Sequence, residues 1–192
     1  MSQLDFYFDF ASPFAYLAAT QVGALARRTD AELTLRPLLL GGLFREVGQV
    51  DVPIAAMSEV KRQYTLRDLQ RWATWWGVPL AWPEAFPIRT VLPLRLFLLE
   101  PTLPRMERLF RAAWAEGRDI GEPRVLLDLG FTAAELEAAP SQRAPLLAAT
   151  NAARDRGVFG VPTFVIDGET LIWGQDRLEM VERALRGEPL GG

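Results

Sequence analysis

Asp9-Phe10-Ala11-Ser12-Pro13-Phe14, near the start of the chain, and Val158-Phe159-Gly160-Val161-Pro162-Thr163-Phe164, near its end, decide how the rest is read. The first joins an apolar, aromatic-rich stretch (4–10) to a helix. That stretch alternates only loosely, as a strand buried on both faces does. Ser12-Pro13 is a helix-start pair: serine caps the first turn, and proline suits the first helical position, where its missing N–H is not needed. The helix runs through Ala15, Leu17, Ala18, Val22 and Leu25 to Arg27-Arg28, whose charge suits the negative end of the helix dipole. Residues 32–38 read as a second strand. Strand, helix and strand at this spacing predict a right-handed unit with parallel strands. The second segment leads into strands at 163–166 and 170–173, joined by Asp167-Gly168, a strong hairpin signal. Residues 175–185 read as a final amphipathic helix.

After about Gly41 the chain changes character, and from 54 to 156 the pattern is almost wholly helical. Helices are expected at 58–76, stopped by Gly77-Val78-Pro79, and at 90–99, 103–115, 123–129, 132–138 and 141–156. Thr132 with Glu135 fits a capping box. Neither end has enough strands for a stable sheet alone, so the two ends must share one. The expected fold is α/β and thioredoxin-like with a large all-helical insertion: 1–43 and 158–192 form the thioredoxin-like part, and 44–157 the insertion.

The chain has 192 residues, 49% hydrophobic and 23% charged, enough for a full globular core. A net charge of −3 argues against a nucleic-acid partner. No apolar run is long enough to span a bilayer. The first residues show no basic segment followed by an apolar one, so no signal peptide and a cytoplasmic setting are expected. There is no cysteine and no histidine. That removes disulfides, a protein thiol, thiolate metal sites and the commonest general base. No Asp-rich loop motif supports a metal, and none is expected.

A residue at a helix tip facing a loop proline is the layout of a thioredoxin-type site. Without cysteine, any thiol there must come from a bound small molecule, managed by Ser12. A plain N-cap is the simpler reading of Ser12. The functional reading uses the same geometry: the free N–H groups and partial positive charge of a helix tip lower a thiol pKa from about 8.5 toward neutrality, and a hydroxyl can donate to the thiolate. Pro162 fits a tight turn. In this topology a cis Val161–Pro162 bond is expected, with the Val161 backbone offered to a peptide-like ligand. Gly174-Gln175-Asp176-Arg177 opens the last helix; its tip could hold a ligand carboxylate, with Asp176 pairing an ammonium. Trp72, Trp75, Trp76 and Trp82 read as core of the helical block or as an aromatic pocket wall. Lys61 and Arg62 read by default as a solvated helix face.

These segments together resemble the 2-hydroxychromene-2-carboxylate isomerase family, which is similar to kappa-class glutathione transferases and belongs to the DsbA-like branch of the thioredoxin fold. The resemblance spans nearly the whole chain. Besides residues 5–17 it rests on Arg36-Pro37-Leu38-Leu39-Leu40-Gly41-Gly42-Leu43-Phe44, Lys61 with Tyr64, Phe86-Pro87, Trp114, 157–164 and Trp173-Gly174-Gln175-Asp176-Arg177-Leu178. It implies that Ser12 positions the thiol of glutathione or another low-molecular-weight thiol. It implies that Val161 pairs with the glutathione backbone beside Pro162, that Gln175 and Asp176 hold the γ-glutamyl end, and that Lys61 touches the ligand. The chain departs from the family at Ile54-Ala55-Ala56-Met57, where relatives are often polar, and at Arg89, where many carry asparagine.

The family reaction interconverts a cyclic hydroxychromene carboxylate and trans-o-hydroxybenzylidenepyruvate, by reversible thiolate addition that frees rotation about a carbon–carbon double bond. The substrate, a small aromatic carboxylate, is expected between the thiol site and the helical block. Its walls would be Phe44, Trp82 and Phe86, with Arg89 or Lys61 as a lone cation for the carboxylate. A homodimer is expected. Two other readings stand beside this one: a kappa-like glutathione transferase acting on other electrophiles, and a non-catalytic thiol-binding module.

Overall fold

A computed structural model describes residues 1–50 and 52–191. Four strands, β1 (Gln3–Phe8), β2 (Glu32–Pro37), β3 (Thr163–Ile166) and β4 (Thr170–Trp173), form one sheet in the order β2-β1-β3-β4. β1 runs parallel to β2, from Gln3 opposite Glu32 to Phe8 opposite Pro37. It runs antiparallel to β3, from Leu4 opposite Ile166 to Tyr7 opposite Thr163. The two chain ends therefore share one sheet, as the strand count requires. Leu4, Phe6 and Phe8 of β1 are fully buried, each side chain contributing about 1.5–3 kcal/mol by burial. Phe6 stacks on Phe164 at 5.4 Å, and Phe8 meets Phe97 and Phe110 edge-on or tilted at 5.4 and 5.7 Å. At the hairpin, Asp167 and Gly168 both have positive φ and the Glu169 N–H returns to the Ile166 carbonyl, the turn that an Asp-Gly pair favours.

Helix α1 (Pro13–Thr29) follows β1 and buries the expected apolar face. The long connection carries α2 (Leu40–Glu46), α3 (Glu59–Trp76), α4 (Val91–Leu99), α5 (Leu103–Trp114), α6 (Pro123–Asp128), α7 (Ala133–Ala138) and α8 (Arg143–Asp155). The Thr132–Glu135 capping box is present. Ser58 caps α3, and Gly77 ends it in the left-handed region. The helix expected at 141–156 is divided into a 3-10 turn, Ala139–Gln142, and α8. Pro145 has no N–H to give the Ser141 carbonyl, so α-helical bonding cannot run through unbroken. The final helix is also split, into a 3-10 turn, Gln175–Arg177, and α9 (Leu178–Leu185). Helix α2 was not expected: Gly41-Gly42 disfavours a helix locally. The boundary expected between 43 and 44 falls inside it. Among the described residues no helix is long and apolar enough to cross a membrane.

The helical block is bonded to the end of the first strand by Trp114. Its indole N–H donates to the Phe10 carbonyl at 2.8 Å, and its ring is fully buried against Trp82 and Phe86. The four tryptophans expected to cluster do not. Trp72 and Trp76 pair at 5.0 Å, Trp82 belongs to the Trp114 group, and Trp75 is 81% exposed. Trp72, Trp75 and Trp76 lie within an arc of about 100° on α3, and the packing leaves the edge of that arc at Trp75 uncovered. Trp114→Phe, which keeps a ring but strands the buried Phe10 carbonyl, is expected to cost about 1–3 kcal/mol, read as a lower urea midpoint; an unchanged midpoint would show that this bond does not tie the two parts.

Candidate active site

Ser12 has extended backbone (φ −101°, ψ 118°), and its hydroxyl oxygen accepts the Ala15 N–H at 3.1 Å. The residue is buried. The same hydroxyl lies 3.5 Å from the Val161 carbonyl oxygen, to which it donates at the outer limit of a hydrogen bond. Its proton is therefore held loosely and can be offered to another acceptor at little cost. The Val161–Pro162 bond is cis, as expected, and Phe86–Pro87 is cis as well. The Thr163 hydroxyl donates to the Gly160 carbonyl at 2.7 Å, which steadies the loop from behind.

That loop is joined directly to the start of the last helical segment. The Gly174 N–H donates to the Pro162 carbonyl at 3.0 Å. Gly174 has φ 113°, and a Cβ there would lie 2.5 Å from an Asp176 carboxylate oxygen, so only glycine lets this corner close. Gln175 is only 6% exposed, and Asp176 is exposed. The 3-10 turn that carries both lies against α1. Among the described residues neither the Gln175 amide nor the Asp176 carboxylate has a protein partner, and the Val161 N–H donates to no protein acceptor. Ser12, Val161, Pro162, Gln175 and Asp176 are thus brought to one corner. It offers a helix tip, a free backbone N–H, the amide of a largely buried glutamine and an unpaired carboxylate. Those donors and acceptors fit a thiol-bearing peptide with a zwitterionic end.

The expected substrate wall fares differently. Phe44 lies on α2 and is buried, because the helix turns it inward with Leu43; it presents little surface. Trp82, 40% exposed, and Phe86 pack at 4.8 Å and do form an aromatic surface over Trp114. Arg89 is not a lone cation. Its side chain, 75% exposed, pairs with Glu122 at 2.7 Å. Gly121 packs so closely on the Arg89 backbone that a Cβ would lie 2.9 Å from its carbonyl oxygen, which brings the neighbouring Glu122 into reach. Lys61 is exposed on α3, where its backbone N–H bonds the Ser58 cap, and no bond links it to the Ser12 corner. A groove of about 760 Å³ runs instead between α1, α5 and the segment after α3, past Tyr16, Ala19, Pro79, Phe110 and Arg111. It contains none of the expected wall residues.

One residue of the site carries a signal that was passed over: Asp9, an acid where an apolar strand ends. It is 1% exposed. One carboxylate oxygen accepts the Ala11 N–H at 3.0 Å and the other the Leu40 N–H at 2.8 Å, with the Thr90 side chain beside them. Burial pushes its carboxyl above the ordinary range, against the pull of those donors. The protonated form is the one that folding favours. Its contribution is complete below about pH 3.9, the unfolded value, and is lost as pH rises through the folded value. Asp9→Asn removes the titration. The stability of the natural protein minus that of Asp9→Asn is expected to fall as pH rises from about 4, by at most about 1.4 kcal/mol per pH unit. Urea unfolding across pH checks this, and a flat difference would contradict it.

Comparison with known proteins gives the family. The DSBA-like thioredoxin domain model matches residues 3–186. A 2-hydroxychromene-2-carboxylate isomerase of Pseudomonas sp. (strain C18) is 33% identical over 98% of this chain and 92% of its own length. A solved structure of a 2-hydroxychromene-2-carboxylate isomerase superposes with a TM-score of 0.83 at 32% identity, covering 96% of this chain and 95% of that one. Glutathione S-transferase kappa 1 of Rattus norvegicus is 26% identical over 98% of this chain and 92% of its own length. The chain belongs to the DsbA-like thioredoxin-domain class and, within it, to the 2-hydroxychromene-2-carboxylate isomerase family, whose members are enzymes related to kappa-class glutathione transferases.

Proposed function

We propose that the protein is a glutathione-dependent isomerase of the 2-hydroxychromene-2-carboxylate/trans-o-hydroxybenzylidenepyruvate type. The observation that carries this reading is the Ser12 hydroxyl, buried at the tip of α1 and facing Val161, in a chain with no thiol of its own. Ser12 and the Val161 N–H would hold the cysteinyl part of glutathione. The Gln175 amide and the Asp176 carboxylate would hold its γ-glutamyl end. Bound glutathione supplies a thiol able to add reversibly to a conjugated double bond. The chain's own part is electrostatic and positional: the helix tip and the Ser12 O–H favour the ionised sulfur, and the Trp82–Phe86 surface gives an aromatic ring a face to lie against. Lys61 stays the cation available for a substrate carboxylate, because Arg89 is paired with Glu122.

The proposal extends to a homodimer in the cytoplasm, where glutathione is kept reduced, and to a helical insertion (44–157) set over a thioredoxin-like part (1–43 and 158–192). A kappa-type transferase is the second reading, favoured by the near-full-length match to the rat protein. Accumulation of a glutathione conjugate, rather than turnover with glutathione unchanged, would mark it.

Ser12→Ala is expected to fold, to lose about 1 kcal/mol with the cap, and to raise the pKa of the bound thiol. Ultraviolet absorbance of bound thiolate against pH measures the last effect; an identical thiol pKa in the variant would remove Ser12 from the mechanism. Asp176→Asn is expected to weaken glutathione about tenfold, the scale of one lost charged hydrogen bond. Calorimetric titration decides it, and unaltered affinity would place the γ-glutamyl end elsewhere.

A further inference from the structure

The buried Asp9 carboxylate is bonded to two separate parts of the chain and lies beside a third. Through Ala11 it holds the turn that ends at Ser12, and the Asp9 carbonyl accepts the Ser12 N–H at 3.1 Å. Through Leu40 it caps the first residue of α2, a helix whose own N-cap, Leu39, has no side chain able to do so. Thr90, which opens α4 just past Phe86 and Arg89, lies next to it. Thr90 is buried and gives no side-chain cap to α4. Among the described residues no lysine or arginine lies within ion-pair distance of Asp9, so it is no half of a stabilising charge pair. An uncompensated buried carboxyl is costly, and apolar packing would fill the space more cheaply. Its geometry has another consequence: the turn that ends at Ser12 and the start of α2 are both bonded to one side chain, with the start of α4 beside it.

We propose that Asp9 is the positioning residue of this site. It sets where the Ser12 hydroxyl stands relative to Val161, and it locks α2 and the start of α4 against that point. It touches neither cofactor nor substrate and acts through the Ala11–Ser12 turn. The inference rests on the glutathione reading only for its consequence in catalysis; the placement of the turn stands without it. Asparagine at this position has one acceptor oxygen and an NH2 group that can only donate. The Thr90 hydroxyl can reverse to accept, but the Ala11 and Leu40 N–H groups then compete for one oxygen. One of them is stranded, and its segment is released.

The test is Asp9→Asn, with Thr90→Val and Thr90→Ser beside it, each in the full chain. In Asp9→Asn, amide hydrogen exchange of Ala11, Ser12 and Leu40 is expected to speed up about tenfold or more, while β3 keeps its natural protection. With trans-o-hydroxybenzylidenepyruvate and glutathione, kcat is expected to fall about tenfold or more, because a displaced catalytic group is that costly. KM is expected to stay within about twofold and the bound-thiol pKa to rise. Thr90→Val should move the same readings the same way by less, and Thr90→Ser should behave as the natural protein. Natural exchange rates at Ala11, Ser12 and Leu40 in Asp9→Asn would overturn the proposal. Exchange raised equally in β3 would also overturn it, since that marks general loosening. If Asp9→Asn does not fold, Thr90→Val with natural exchange and kcat overturns it. If the unaltered protein binds no glutathione, the cofactor reading fails, and amide exchange alone then decides for or against Asp9.

Discussion

β1 is paired on both edges and fully buries Leu4, Phe6 and Phe8 on one face, and the rest of the molecule is arranged around that constraint. Its parallel edge takes β2 from the same end of the chain; its antiparallel edge takes β3 from the other end. Phe6 and Phe8 lock into rings contributed by β3, α4 and α5. A strand held this way cannot slip by one residue, because every fully buried phenylalanine would be exchanged for a polar neighbour. The point where β1 stops is therefore fixed, and with it the tip of α1. Ser12 inherits its position from the most rigid part of the fold.

What the tip faces comes from the far end of the sequence. β3 begins at Thr163, so its pairing with β1 brings Val161 and Pro162 beside Ser12. The hairpin then returns Gly174 to the Pro162 carbonyl. In the proposed reading this is a thiol site with no thiol of its own: the groups that would stabilise a sulfur anion are backbone ends and one hydroxyl. Such a site suits a borrowed thiol, since Ser12 is a poor nucleophile and does not compete with the cofactor for an electrophile. The aromatic surface of Trp82 and Phe86 reaches the same region because Trp114, buried beneath both rings, bonds the carbonyl of Phe10.

Local signals announced most of this. Ser12-Pro13, Asp167-Gly168, Gly77 and the Thr132–Glu135 pair each act within a few residues, through caps and turns whose chemistry is carried by the residues themselves. The long-range contacts were silent. Glu122 neutralises Arg89 from thirty-three positions away. Asp9 caps α2 from thirty-one positions away. Phe44 was read as a pocket wall because nothing around it indicated that α2 would form and turn it inward.

The sequence by itself determined most of the elements, the joining of the two ends in one sheet and the absence of any protein thiol or imidazole. Those follow from periodicity, cap residues and residue inventory, which need no partner elsewhere in the chain. Only the tertiary structure decided which charges are paired, which aromatic rings are exposed and where Asp9 is buried. Hydrogen bonds and ion pairs depend on distances of about 3 Å, and such distances between remote residues exist only after the chain has packed.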